Sequence, residues 1–159
     1  MEAPWAVALK LLSSPMGTVV GGVPIWVGAA LAFSEARQFS AGRLLATFAG
    51  AVLVMGWLNL SNDAYDAETG VDVEKHESAV TRTGNRSAIL GLACLSLAAG
   101  AALFGSLMAY LGDARIPALL GAAVVVGYMY QGPPFRFSYR GWGEPMTVLA
   151  FSLSTACFY

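Results

Sequence analysis

The sequence predicts an all-α, polytopic transmembrane helix bundle. Three observations point there. Hydrophobic residues fill 57% of the 159 positions and charged residues 12%, against roughly 25% charged in a soluble domain. Mean hydropathy is +0.61. The charges bracket long uncharged runs instead of spreading along the chain. A disordered tail is excluded, and a soluble globular domain is disfavoured. The net charge of −1 provides no basic field to attract nucleic acid. Cys94 and Cys157 both sit in apolar runs, so no disulfide framework is expected.

Residues 11–34, 44–62, 87–112 and 116–135 carry no charge. Each run is about 20 residues or longer, the length that crosses a hydrocarbon core of about 30 Å. The first is too long for a cleavable signal peptide, and a second follows it closely. Pro24 is expected to kink this first span. Gly17 and Gly21 form a G-x-x-x-G, which lets helix backbones approach. Pro117 and Pro145 stand just inside the fourth and fifth runs, where a missing N–H does no harm. The fifth run, 145–159, is where the sequence ends. A helix ending in lipid leaves backbone groups unpaired. Residues 1–159 are therefore expected to be the N-terminal part of one longer transmembrane domain: four helices and part of a fifth.

The loops set an expected orientation. The N-terminus, the 63–86 loop and the 136–144 loop carry Lys10, Lys75, Arg82, Arg86, Arg136 and Arg140. The opposite loops carry Arg37, Arg43 and Arg115. The excess of basic residues assigns the first set to the cytoplasmic side, or to the stromal side of a plastid.

The informative segment is Trp57 to Asp72. If the second helix continues one turn past Asn62, then Asn59, Asn62, Asp63 and Asp66 fall at i, i+3, i+4 and i+7 on one face. Gly70 is the expected stop, with Asp72 just beyond. Carboxylates at the hydrocarbon boundary are costly unless paired or bound to a cation. Oxygen-only ligands suit Mg²⁺, which takes one or two carboxylates and completes its shell with water and phosphate oxygens. The pattern suggests a diphosphate held through metal ions by Asp63, Asp66 and Asn62. The alternative is a solvated acidic cap, although acids at a helix C-terminus oppose the macrodipole.

Lys75, Arg82, Arg86, Arg136 and Arg140 share that side and could neutralise phosphate; the positive-inside bias explains them equally well. The stretch 128–144 leaves the fourth helix there. It is aromatic, with Tyr130, Phe135 and Tyr139, and Pro133-Pro134 predicts an extended exit. It reads either as an interfacial belt or as a pocket wall facing a developing cation. His76 sits in a polar loop and is read as solvated.

At Asn62, Asp63 and Asp66 the sequence resembles the UbiA-type intramembrane aromatic prenyltransferases, whose first acidic motif is N-D-x-x-D. The usual third acid is replaced by Gly70, with Asp72 next. That spacing resembles the dihydroxynaphthoate branch of menaquinone and phylloquinone synthesis, cyanobacterial and plastid type. So do Lys75-His76-Glu77-Ser78-Ala79-Val80, Tyr130 to Arg136, and Gly141-Trp142-Gly143-Glu144. The resemblance implies nine helices around a cavity and a second aspartate-rich motif, absent from this chain. It implies Mg²⁺-dependent transfer of a phytyl or polyprenyl chain from its diphosphate to a 1,4-dihydroxy-2-naphthoate-type acceptor. It also implies a multi-pass protein of a plastid or bacterial inner membrane, bathed in lipid. Asp63 and Asp66 take the catalytic role, while Asn59, Asn62, Asp72, Lys75, Arg82, Tyr130, Arg136 and Tyr139 are candidates for substrate binding. Rival readings are a sibling enzyme acting on homogentisate or chlorophyllide, and a non-enzymatic transporter whose carboxylates bind a cation.

Overall fold

The computed structural model describes residues 1–12, 19–37, 39–70 and 78–156. The chain is an all-α membrane helix bundle, with no strand among these residues. Its helices are α1 (Pro4–Leu12), α2 (Gly21–Ala36), α3 (Ala41–Thr69), α4 (Ala79–Thr83), α5 (Arg86–Leu111), α6 (Arg115–Gln131) and α7 (Gly143–Ala156); a 3₁₀ turn spans Phe137–Arg140.

The helix limits follow from local chemistry. Ser40 caps α3, its hydroxyl accepting the Arg43 N–H at 3.2 Å. Gly70 ends α3 at φ 69°, a left-handed turn that costs glycine little, and its N–H closes on the Asp66 carbonyl. Asn85 caps α5 through the Ala88 N–H at 2.9 Å. α6 stops at Gln131, before Gly132-Pro133-Pro134, because proline supplies no N–H to continue the ladder.

The expected spans need correction. Among the described residues, only α3 and α5 are long and apolar enough to cross a membrane. α6 has 17 residues, since the helix ends before the two prolines and not at Phe135; at 1.5 Å per residue that is about 26 Å. The first span is described as two helices, α1 and α2, with Pro24 inside α2 and close to Gly21, which packs on Ala51 and Met55 in the middle of α3. Gly17 lies outside the described residues.

α3 is the central element, touched by α1, α2, α4, α5 and α6. Its closest neighbour is α5. A Cβ on Gly100 would stand 3.2 Å from the Gly50 carbonyl oxygen, so the two backbones nearly touch. Phe104 covers Gly50, and the Ser96 hydroxyl donates to the Leu53 carbonyl at 2.7 Å. A cluster of Val7, Trp57, Leu60, Ala64, Ile89 and Ala93 seals one end of this pair against α1. Trp26, Leu45, Leu95, Val125 and Val148 point outward, as lipid-facing positions do.

The N-terminus, α4 and the 132–142 connection gather at one end of the bundle. Glu2 bonds Arg82, Asp63 bonds Ala79, and Asp66 bonds Tyr139. The α2–α3 and α5–α6 connections lie at the other end. This yields a labelling prediction. With Cys94 and Cys157 replaced, Thr81→Cys and Trp142→Cys should react with an impermeant thiol reagent from one side of a sealed vesicle, and Ala114→Cys from the other. Opposite labelling of Thr81→Cys and Trp142→Cys would refute the arrangement.

Candidate active site

The acidic face forms because α3 does not stop at the last residue of its uncharged run. It continues from Asn62 to Thr69 and carries Asp63, Asp66 and Glu68 past the apolar zone. Asn59, Asn62, Asp63 and Asp66 therefore share one face, as their spacing requires.

Both aspartates are buried, at 6% and 7% exposure. Asp63 Oδ2 accepts the Ala79 N–H at 2.8 Å, which joins α3 to the start of α4. Asp66 Oδ1 accepts the Tyr139 hydroxyl. Burial first, then this bond to Asp66, pushes the Tyr139 phenol up to about 12. Tyr139 thus meets the acidic face directly, as an anchor for Asp66.

Asn59 and Asn62 line a cavity of about 220 Å³ with Tyr130, Gln131, Met146 and Phe151. The amides come from α3 and the apolar wall from α6 and α7. Gln131 is 2% exposed, and its Nε2 donates to the Leu58 carbonyl at 3.0 Å and to the Ser61 hydroxyl. These bonds fix α6 against α3 where the cavity opens.

The basic residues divide. Arg86, the first residue of α5, donates through Nε to the Ala64 carbonyl and through a terminal nitrogen to Glu68, both at 2.9 Å. Arg136 reaches the same Glu68 oxygen at 3.4 Å. Glu68 stands two residues past Asp66, about 200° around the helix, so this ion pair lies on a different side of α3 from Asp66. Its backbone also departs from the extended exit expected after Pro133-Pro134. Arg136 has φ 46° and ψ 49°, and its N–H closes a turn on the Gly132 carbonyl at 3.0 Å. Arg82 is turned to the N-terminus, with Nε 2.9 Å from Glu2 Oε1. Asp72, Lys75 and His76 lie outside the described residues.

Among the described residues no group of three or more His, Cys, Asp or Glu side chains is placed to hold a metal ion. Two buried aspartates on one helix face still fit Mg²⁺, which is usually bound by one or two carboxylates plus substrate phosphate and water. Asn62 is on the same face.

Sequence reasoning missed Glu2, Ser61, Glu68 and Gln131. Each acts through a partner about 70 or 80 positions away, Ser61 through Gln131, and no local spacing reveals that. Gln131 alone left a trace, as a polar side chain at the end of an apolar run.

Comparison with known proteins gives concordant matches. The model of the UbiA prenyltransferase family matches residues 21–158. The chain is 44% identical over 140 residues to the chloroplastic 2-carboxy-1,4-naphthoquinone phytyltransferase of Arabidopsis thaliana, covering 86% of this chain and 36% of that protein. It is 38% identical over 156 residues to the 2-carboxy-1,4-naphthoquinone phytyltransferase of Synechocystis sp., covering 98% of this chain and 50% of that protein. The chain thus spans half or less of the length of these relatives. No solved structure matches.

The Tyr139 contact makes a pH prediction. The folded protein keeps this phenol protonated up to about 12, whereas the unfolded phenol ionises near its ordinary value of 10. The stability tied to this group is therefore complete below pH 10 and is lost as pH rises from 10 towards 12. A titration of phenolate absorbance should show a late component that shrinks in Tyr139→Phe. Identical curves for the two proteins would contradict the contact.

Proposed function

Because the chain belongs to the UbiA prenyltransferase family, we propose that it forms the N-terminal part of a membrane enzyme that moves an isoprenoid chain from its diphosphate to an aromatic carbon. We propose a phytyl or similar chain as donor, a 1,4-dihydroxy-2-naphthoate-type acceptor, and a role in phylloquinone or menaquinone synthesis. The names of the Arabidopsis and Synechocystis relatives support this choice. They also support a chloroplast or cyanobacterial membrane as its location. The observation that carries the reading is the buried pair Asp63 and Asp66 on one face of α3, at the end of the bundle where Arg86 and Arg136 gather. Acids at a helix end beside arginines suit diphosphate chemistry; an ion pathway would place them near mid-membrane.

In the reaction the carbon–oxygen bond of the donor breaks and both electrons leave with diphosphate; the electron-rich ring supplies the pair for the new carbon–carbon bond, and the substituted ring carbon then releases its proton, or its carboxylate as carbon dioxide, returning the bonding pair to the ring. Asp63, Asp66 and Asn62 would hold Mg²⁺. When bound, Mg²⁺ would neutralise charge on the departing diphosphate. Asp66 is oriented by the Tyr139 hydroxyl, and Asp63 by the Ala79 N–H. Arg136 offers a planar fork for phosphate or carboxylate oxygens. Asn59 and Tyr130 present an amide and a ring to the cavity between α3 and α6, whose apolar wall keeps water from the electrophilic carbon. Asp72 and Lys75, near in sequence, are assigned to the same diphosphate. Arg82 can join them only by leaving Glu2.

The test is prenyl transfer in membranes carrying the longer protein, with phytyl diphosphate and dihydroxynaphthoate. Asp63→Asn and Asp66→Asn should each lower turnover by about 100-fold or more, the scale of losing an electrostatic stabiliser. Arg136→Lys keeps the charge, loses the fork, and should cost about tenfold or more. Membrane levels of each variant should stay normal. Wild-type turnover in both aspartate variants would remove them from the site.

A further inference from the structure

α4 is five residues long, Ala79–Thr83, too short to persist through its own helical bonds. Its first amide is nevertheless the donor that meets Asp63 Oδ2, at 2.8 Å. Whatever holds α4 in place therefore holds this bond. On the apolar side, Ala79 is fully buried in one cluster with Val7 and Ala8 of α1 and Ala64 of α3.

The polar side of α4 is held by the residues before α1. The Glu2 N–H donates to the Arg82 carbonyl at 3.1 Å. Glu2 Oε1 accepts Arg82 Nε at 2.9 Å and a terminal nitrogen at 2.5 Å. One residue thus grips both the main chain and the side chain of another. Glu2 Oε2 accepts Lys10 Nζ at 2.8 Å, so the same carboxylate reaches the last turn of α1. Met1 covers the far end of α4: a Cβ on Gly84 would stand 2.7 Å from its sulfur. Exposed ion pairs are worth little individually. Here the Arg82 side chain is only 28% exposed, two of its nitrogens converge on one oxygen, and a main-chain bond runs beside them. Charge-assisted bonds of this kind are about twice as strong as neutral ones.

We propose that Glu2 is a positioning residue: through Arg82 it latches α4 so that the Ala79 N–H orients Asp63 for its metal. A hydrogen bond to a metal-binding carboxylate sets the direction of its oxygens, and losing such a partner costs about 10- to 100-fold in metal affinity. The latch also gives Arg82 a role other than phosphate binding, since its fork is engaged by Glu2. That Asp63 binds a metal rests on the prenyl-transfer reading; the hold of Glu2 on the Ala79 amide does not.

Two measurements on the longer protein in mild detergent test the proposal. Amide hydrogen exchange reads the Ala79 bond, and Mn²⁺ binding with inorganic diphosphate present reads Asp63. Glu2→Gln should speed exchange across residues 79–83 by about tenfold or more, the scale of losing a charged hydrogen bond, while amides at the α3–α5 contact keep their protection. It should weaken Mn²⁺ binding by about tenfold or more. Arg82→Gln should do the same, and the double variant should lose no more than either single one, because both act through one contact. Arg82→Lys keeps the charge and loses the fork; it should give a smaller loss of the same sign, and it carries the test if Glu2→Gln does not insert. Arg115→Gln removes an ion pair at the opposite end and should move neither readout. Unchanged exchange at residues 79–83 in Glu2→Gln overturns the latch. So does faster exchange throughout the bundle, which marks a general role in stability, or an Arg115→Gln variant that behaves alike. Faster local exchange with Mn²⁺ bound as in the wild type overturns the positioning role. Tighter Mn²⁺–diphosphate binding in Glu2→Gln, with weaker binding in Arg82→Gln, overturns it in favour of Arg82 as a phosphate ligand. Failure of the wild-type protein to bind Mn²⁺ counts against the prenyl-transfer reading and leaves the exchange result to decide the latch.

Discussion

The close seat of α5 on α3 is the constraint from which the rest follows. Gly100 brings α5 against the Gly50 carbonyl, and the Ser96 hydroxyl pins the pair through Leu53. Between apolar helices in lipid there is little hydrophobic force to exploit, so backbone proximity and interhelical hydrogen bonds hold them together. This register sets where α5 begins. Arg86, its first residue, comes level with Ala64 and Glu68 and fastens the end of α3 that carries the acids. A larger side chain at Gly50 or Gly100 would disturb a site several turns away.

α3 ends against its own macrodipole. Asp63, Asp66 and Glu68 sit in its last two turns, where partial negative charge on the carbonyls disfavours them. The fold offsets this with a donor for each: the Ala79 N–H, the Tyr139 hydroxyl, and the guanidiniums of Arg86 and Arg136. Those donors arrive from three different segments. The acids thereby organise the membrane-surface end of the bundle, tying α4, the start of α5 and the α6–α7 connection to one helix. A surface so assembled is suited to receive a ligand that brings positive charge to the aspartates and negative charge to the arginines. A metal-bound diphosphate has that character.

Much of this was legible in the sequence. The uncharged runs located the helices, and the Asn59 to Asp66 spacing located the acidic face, because both depend on local period alone. Gly70 announced the end of α3 for the same reason. What was not legible depends on distant partners. Arg82 was grouped with the diphosphate ligands by its side of the membrane, yet Glu2 holds it. Arg136 is expected on an extended exit; the chain turns back on Gly132 instead, and the side chain meets Glu68. Gln131 and Ser61 join two helices through a buried contact that neither helix predicts alone. α6 was overestimated because absence of charge does not mark a helix end, whereas two prolines do.

The central claim is that Asp63 and Asp66 hold a divalent metal together with the donor diphosphate. Electron paramagnetic resonance of Mn²⁺, standing in for Mg²⁺, tests it most directly in the longer protein. The account predicts Mn²⁺ binding that strengthens when diphosphate is added, a phosphorus hyperfine coupling in the bound signal, and loss of both in Asp63→Asn and Asp66→Asn. Bound Mn²⁺ that shows no phosphorus coupling, or that survives both substitutions unchanged, would contradict it.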